Sequence, residues 1–334
     1  MHINQFTAFY PSRPYWAGSK VNLADIENGR FNDQMSEEVF SQKREKYTLK
    51  VCRDGRIMLR VEAIEHATPH MELEATVAKW GDYLDHLNTF YLLLDSASLD
   101  VVRMSYFSLH ELTNRDAFRV RYEHGKSTGE NIAIESIASV FQMARYLSSY
   151  RPGLPLELDP QISMRREMPL SVIEHAERSF YRAIELPGLI RALASFAKSL
   201  SEYKVGNYET SIVLAWFIIE AAISNLWKSQ LAALDCELDA GRKRINAERK
   251  KFLTGRDFTI SAISNILELW GLLPNDEFQD IDTVRGFRNK IVHRLGLQPG
   301  AEAARLALET AQKMIARQWN FNFTPSFSYS VTGL

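Results

Sequence analysis

Only two cysteines, Cys52 and Cys236, occur in 334 residues, and they form no CxxC pair. Their separation excludes a disulfide framework and a cysteine zinc site, and it suits a reducing compartment. Charge of one sign is also lacking. Lys and Arg number 40 against 41 Asp and Glu, a formal net charge of −1. Any surface for phosphate must therefore come from local clustering. No GxxxxGK(S/T), GxGxxG or GxSxG is present, which removes the common phosphate cradles and the nucleophile elbow. The start, MHINQFTAFYPSRPYW, has no basic stretch leading into an apolar core, so no signal peptide is expected. The most apolar run, SIVLAWFIIEAAISNLW (211–227), is interrupted by Glu220 and Asn225 and is short for a membrane span. It reads as a buried helix, and the expected location is the cytoplasm. There is no internal repeat and no low-complexity tract.

What remains is an ordinary globular balance, 46% hydrophobic and 24% charged, in a chain long enough for one large domain or two ordinary ones. Four of the 11 prolines, Pro152, Pro155, Pro160 and Pro169, fall within 151–170. Proline lacks a backbone donor and disfavours helix before it, so this stretch is the expected linker. Residues 1–150 before it mix two periods. YTLKVCRDGRIMLRVEAIEH alternates around Asp54-Gly55, a hairpin signal. Residues 74–97 have helical spacing, VVRMSYFSLHEL and AFRVRYEHG alternate like strands on either side of 113–116, and ENIAIESIASVFQMARYLSSY reads as a helix. The expectation is an α+β domain with a small antiparallel sheet and helices on one side. Residues 171–334 read as an all-α bundle, with helices near 171–186, 188–205, 207–234, 243–253, 258–272, 277–295 and 301–318. Gly296 suits a C-terminal cap. The tail FNFTPSFSYSVTGL is expected to add a short strand or to pack loosely.

Several patterns have an ordinary explanation beside a chemical one. Ser195 and Lys198 have serine–lysine spacing but lie in an amphipathic helix without the accompanying motifs. His66 and His70, with Glu62, Glu65 and Glu72, offer metal-ligand chemistry, yet a strand running into a turn explains them as well. The aromatic start, FTAFYPSRPYW, reads as packing rather than a base-stacking platform, which needs a basic groove beside it.

Residues 285–296, RGFRNKIVHRLG, hold the densest chemistry. Arg separated from His by four to six residues also occurs at Arg60–His66, Arg103–His110 and Arg119–His124, so spacing alone decides nothing. Those three lie in strand-like segments and lack a polar Asn, Asp or His after the Arg. Only Arg288 is followed by Asn289 on a helix that also carries His293. At about 100° per residue, Arg285, Arg288, Asn289 and His293 share an arc of roughly 140°. Val284, Phe287, Ile291 and Leu295 point largely elsewhere.

This set resembles the Arg-x(4–6)-His signature of the HEPN superfamily. The 211–227 run looks like the long aromatic helix with an internal Glu found in HEPN domains of the Apea-like type, and DTVRGFRNKIVH follows in the expected order. The resemblance covers about 175–320 and leaves 1–150 unassigned. It implies a metal-independent endoribonuclease with no cofactor, leaving 2′,3′-cyclic phosphate and 5′-OH ends, in the manner of a toxin or antiviral defence effector. It also implies a homodimer whose two Arg–His sets share one cleft. Some HEPN toxins carry a modified Tyr two residues after the His; Leu295 stands here, so that regulation is not carried over. The alternative is a catalytically silent HEPN module that binds RNA, nucleotide or a protein partner.

Histidine titrates near neutrality, so His293 suits proton transfer from a ribose 2′-OH. Arg288 suits the phosphate oxygens and the charge that grows on them. Asn289 is expected to orient the imidazole or touch the scissile phosphate, and Arg285 to act as a second clamp. Glu220, within an apolar run, is expected either to pair with Arg285 or Arg288 or to bond a backbone group. GRKRINAERKKFLTGR (241–256) concentrates Arg242, Lys243, Arg244, Arg249, Lys250 and Lys251 as an RNA-tracking surface or else a solvated charge run.

Overall fold

A computed structural model describes residues 5–21, 34–66, 73–123, 126–131, 165–238, 241–293 and 299–329. The layout is an antiparallel sheet with helices, followed by a helical bundle, as the two periodicities of the sequence require. The chain divides into two compact units, 1–197 with 323–328 and 198–322 with 329–334.

The first unit holds β1 (Gln5–Phe9), β2 (Tyr15–Ala17), β3 (Glu38–Lys43), β4 (Tyr47–Cys52), β5 (Ile57–Val61), β6 (Phe118–Glu123), β7 (Lys126–Asn131) and β8 (Arg166–Met168). Six form an antiparallel sheet in the order β3-β4-β5-β1-β6-β7. The Asp54-Gly55 signal closes β4 onto β5, with Cys52 N donating to Arg56 O at 2.9 Å. Gly55 sits at φ 87°, where a Cβ would also come within 2.8 Å of the Tyr15 ring, so glycine is required twice over. Strands β1 and β5 are buried almost throughout, which means both faces of the sheet centre are covered. Phe6, Ala8, Tyr10, Met58, Phe118, Val120 and Tyr122 cluster together, and Phe9 meets Tyr91 at 5.6 Å between ring centroids.

Tyr91 belongs to α2 (Leu73–Val102), which follows the short α1 (Glu62–His66). Helix α3 (Leu170–Glu185) packs on α2. There the Phe180 ring stands edge-on to Tyr47 at 5.0 Å and to Phe90 at 5.6 Å. Beside it, buried Glu177 accepts from Arg44 at 2.8 and 3.0 Å and from the Tyr47 hydroxyl at 2.7 Å. Helix α3 thus belongs with the sheet, and the division between units falls inside α4 (Leu189–Lys204) rather than in the proline-rich stretch. The end of that stretch is itself structured, since β8 pairs in parallel with β2.

Three expectations for this part of the chain change. Residues 104–112 form no strand. Arg103 at φ 54° ends α2, and α2 side chains then satisfy the segment directly, with Leu112 N donating to Asn88 Oδ1 at 2.7 Å and Ser105 Oγ to Asp95 Oδ1 at 2.9 Å. Glu130 and Asn131 lie in β7, not in a helix, while 132–150 are outside the described residues. The tail adds no strand through 329; it packs by burying Phe321 and Phe323.

The second unit comprises α5 (Tyr208–Leu234), the hairpin β9 (Glu237–Leu238) and β10 (Arg242–Lys243), α6 (Ala247–Leu253), α7 (Ile260–Leu269), α8 (Asn275–His293) and α9 (Ala301–Trp319). The expected helix at 243–253 begins only at Ala247, because Asn246 caps it by accepting from Arg249 N at 2.8 Å, and an N-cap residue is itself non-helical. Helix α5 packs against α7, α8 and α9. By length and composition it is apolar enough to cross a membrane, but 50% of its most apolar window is buried inside the protein.

Candidate functional site

Helix α8 is seated by one apolar seam. Ile281 and Val284 are buried, and Phe287 and Ile291 are half-buried. The arc of polar residues begins at the edge of this seam and ends in solvent. Arg288 lies at the seam: its Nε is buried and has no hydrogen-bond partner among the described residues, while Nη1 donates to Asn289 Oδ1 at 3.1 Å. His293 lies at the other end, exposed on the last helical residue. Among the described residues no hydrogen bond joins Asn289 to His293, so Asn289 orients the guanidinium rather than the imidazole. Leu295 and Gly296 are outside the described residues.

Arg285 is engaged one turn back, where Nε meets Asp282 Oδ1 at 3.1 Å in an exposed pair. Such pairs are worth about 1 kcal/mol or less and open readily. Glu220 is half-buried, and no ion pair links it to Arg285 or Arg288 among the described residues. The reason lies on α5 itself. Phe217 is 54% exposed, and Ala221, Asn225 and Lys228 are exposed with it. These positions recur at helical spacing, so Glu220 borders a solvent strip that its apolar neighbours in sequence conceal.

The arginines of two of the other three Arg–His pairs are engaged in ion pairs. Arg60 in β5 binds Glu62 at 2.9 Å, and Arg119 in β6 binds Glu65 at 2.6 Å. His66 faces Glu62 at 3.5 Å. His70, Glu72 and His124 are outside the described residues, among which no group of three or more His, Cys, Asp and Glu is placed to hold a metal ion. Ser195 and Lys198 both lie on α4.

Six of the seven basic residues of the 241–256 segment fall on β10, the turn after it and α6. Arg242, Lys243, Arg244, Arg249, Lys250 and Lys251 are all exposed, and none forms an ion pair among the described residues. Buried Ile245 anchors the segment, its N–H donating to Asp235 Oδ1 at 3.2 Å. Arg249 Nη1 donates to Arg244 O at 3.2 Å, holding these two side by side.

Beside them opens a cleft of about 310 Å³ whose lining includes Trp227, Leu231, Phe258, Trp270, Arg244 and Arg249. The buried Trp227 ring stacks on Phe258 at 5.8 Å and 19° and on Trp270 at 5.8 Å and 26°. Its indole N–H donates to Leu253 O at 2.8 Å, fixing the end of α6. Trp270 is 50% exposed and Phe252 57%. Sequence reasoning missed this cleft. The available signal was a tryptophan directly before Gly271 in LELWGLLP, a large apolar ring at a helix end where it is half free of packing. Arg288, Asn289 and His293 do not line it. Compared with family models, curated proteins and solved structures, the chain matches none.

Proposed function

We propose that the helical unit is a metal-independent endoribonuclease of the HEPN type, acting through Arg288, Asn289 and His293. The observation that carries this reading is the tie between Arg288 and Asn289 on a helical arc whose far end is an exposed histidine. His293 takes the proton of a ribose 2′-OH as that oxygen attacks the adjacent phosphorus. The bond to the 5′-oxygen breaks, and that oxygen leaves with a proton, giving 2′,3′-cyclic phosphate and 5′-OH ends. Arg288 meets the charge growing on the non-bridging oxygens. Asn289 is a positioning residue for that guanidinium, and Arg285 swings from Asp282 to the phosphate as it binds.

His293 and Arg288 stand roughly 140° apart around α8. A second copy closing over the arc would bring two Arg–His sets to one cleft and supply the acid for the leaving oxygen, which is why a homodimer is part of the proposal. The sheet unit then selects the RNA or senses a trigger, as expected of a toxin or defence effector.

The test is incubation of the purified chain with mixed cellular RNA in excess EDTA, beside His293→Ala and Arg288→Ala. Cleavage by the unsubstituted chain alone, leaving cyclic-phosphate ends, supports the reading. Binding without cleavage turns it into a silent RNA-binding module, and cleavage retained by both variants places the chemistry elsewhere.

A further inference from the structure

We propose that the cleft between the end of α5, α6 and the end of α7 binds single-stranded RNA, stacking one base on Trp270 while Arg244 and Arg249 hold the flanking phosphates. The choice of RNA rests on the ribonuclease reading; the site itself rests on different residues.

Two requirements for a single-strand site meet here. The first is an aromatic surface that is rigid yet open. Trp270 stacks on Trp227, which stacks in turn on Phe258, and the inner ring is pinned through its N–H to Leu253 O at 2.8 Å. The outer ring is 50% exposed. A base added to it extends an existing stack, so little side-chain freedom remains to be lost on binding. The second requirement is positive charge with no internal partner. Within 241–256 seven Lys and Arg stand against Glu248 alone, and Arg244 and Arg249 line the cleft itself. Their mutual contact, Arg249 Nη1 to Arg244 O, leaves the remaining guanidinium donors free to face outward.

An aromatic wall beside unpaired cations is the arrangement that recognises unpaired bases and their backbone. Duplexes hide the base faces and cannot use Trp270. Acidic peptides would satisfy the cations but gain nothing from a flat ring already stacked on its inner side.

The experiment is fluorescence anisotropy of a labelled 2′-O-methyl RNA single strand, which cannot undergo 2′-OH attack, titrated with the full chain across a salt series. Trp270→Ala should weaken binding about tenfold with the salt slope unchanged, and Trp270→Phe should restore most of the loss. Arg249→Ala should lower the slope by about 0.7 for each phosphate contact removed. Far-UV circular dichroism establishes that each variant is folded. The proposal is overturned if folded Trp270→Ala binds like the unsubstituted chain. It is equally overturned if a duplex or polyglutamate displaces the probe as well as the unlabelled strand does. Trp270-dependent binding without cleavage of natural RNA upholds the cleft and sinks only the nuclease reading. Cleavage with Trp270-independent binding does the reverse.

Discussion

The Arg288 guanidinium donates to Oδ1 of Asn289 at 3.1 Å while its own Nε is buried beside the α8 seam. One hydrogen bond and the partial burial of the side chain therefore set the guanidinium's position. A planar fork fixed in this way can meet two phosphate oxygens at once, which a lysine cannot do. Arg288→Lys keeps the charge and loses the fork. On the proposed nuclease reading, single-turnover cleavage should fall by about 100-fold or more with thermal stability nearly unchanged. A loss below threefold would remove Arg288 from the chemistry.

In the sheet unit, Glu177 is the buried hub for Arg44 and the Tyr47 hydroxyl. Burial and the bond to Glu177 both push the Tyr47 phenol well above its usual range. Arg44 is held charged chiefly by its hydrogen bonds to the same carboxylate. Glu177→Ala orphans both groups and should cost roughly 3 kcal/mol, near the low end for breaking a buried pair because Arg44 is partly solvated. Urea unfolding measures this, and a change under 1 kcal/mol would mean that the hub contributes little.

Acid should destabilise the same unit. Burial alone would raise the Glu65 carboxyl, but hydrogen bonds from Arg119 and Tyr83 and the nearby cations outweigh it, and the net shift is downward. Its folded-state value lies below the unfolded one, so the stabilisation is present above the ordinary carboxylate range and fades as pH falls through the folded value. His86 is shifted down by burial; the unfolded chain takes its proton first, so stability again falls as pH drops below the ordinary histidine range. Denaturation midpoints followed from pH 7.5 to 4 should decrease, with Asp85, whose carboxyl is raised chiefly by burial, opposing part of the fall at the acid end. Glu65→Gln should flatten the lower part of the curve.

The two cysteines should separate cleanly in labelling. Burial pushes the Cys52 thiol up to about 11, whereas Cys236 is exposed. Thiolate is the reacting form, so iodoacetamide under native conditions should modify Cys236 alone, as read by intact mass. Because Cys236 O accepts from Arg244 N at 2.9 Å, RNA seated on Arg244 should slow that modification severalfold. An unchanged rate with saturating single strand would argue against occupancy of this side of the cleft.

Much of the architecture was legible because it rests on local chemistry. Asp54-Gly55 specifies its hairpin by backbone geometry, and the two apolar periods separate the sheet region from the bundle. Residues 104–112 were misread because alternation of apolar residues cannot reveal that Asn88, on the preceding helix, bonds the Leu112 backbone and that Asp95 accepts from the Ser105 hydroxyl. Glu220 was misread for a related reason: a run of apolar letters does not show which turn of α5 faces water. The Arg288–Asn289–His293 arc follows from helical spacing alone. Which residue Asn289 bonds does not, because that depends on rotamers set by the seam. The Trp227–Trp270 stack joins α5 to the residue that follows α7, and no periodicity marks it.

Residues 323–328 return to the sheet unit, where Thr324 N donates to Ser96 Oγ at 2.7 Å and Phe323 stands against Phe196 at 5.0 Å. The helical unit is thus inserted between the main body of the sheet unit and its last segment. During synthesis the ribosome releases the sheet strands first, yet the contacts that close that unit arrive only after all of α5 to α9 has been made. The growing chain must hold an unfinished Phe196 site while the bundle assembles. Such late, sequence-distant closure slows folding and exposes intermediates, and it makes synthesis of the whole bundle segment a precondition for finishing the sheet unit.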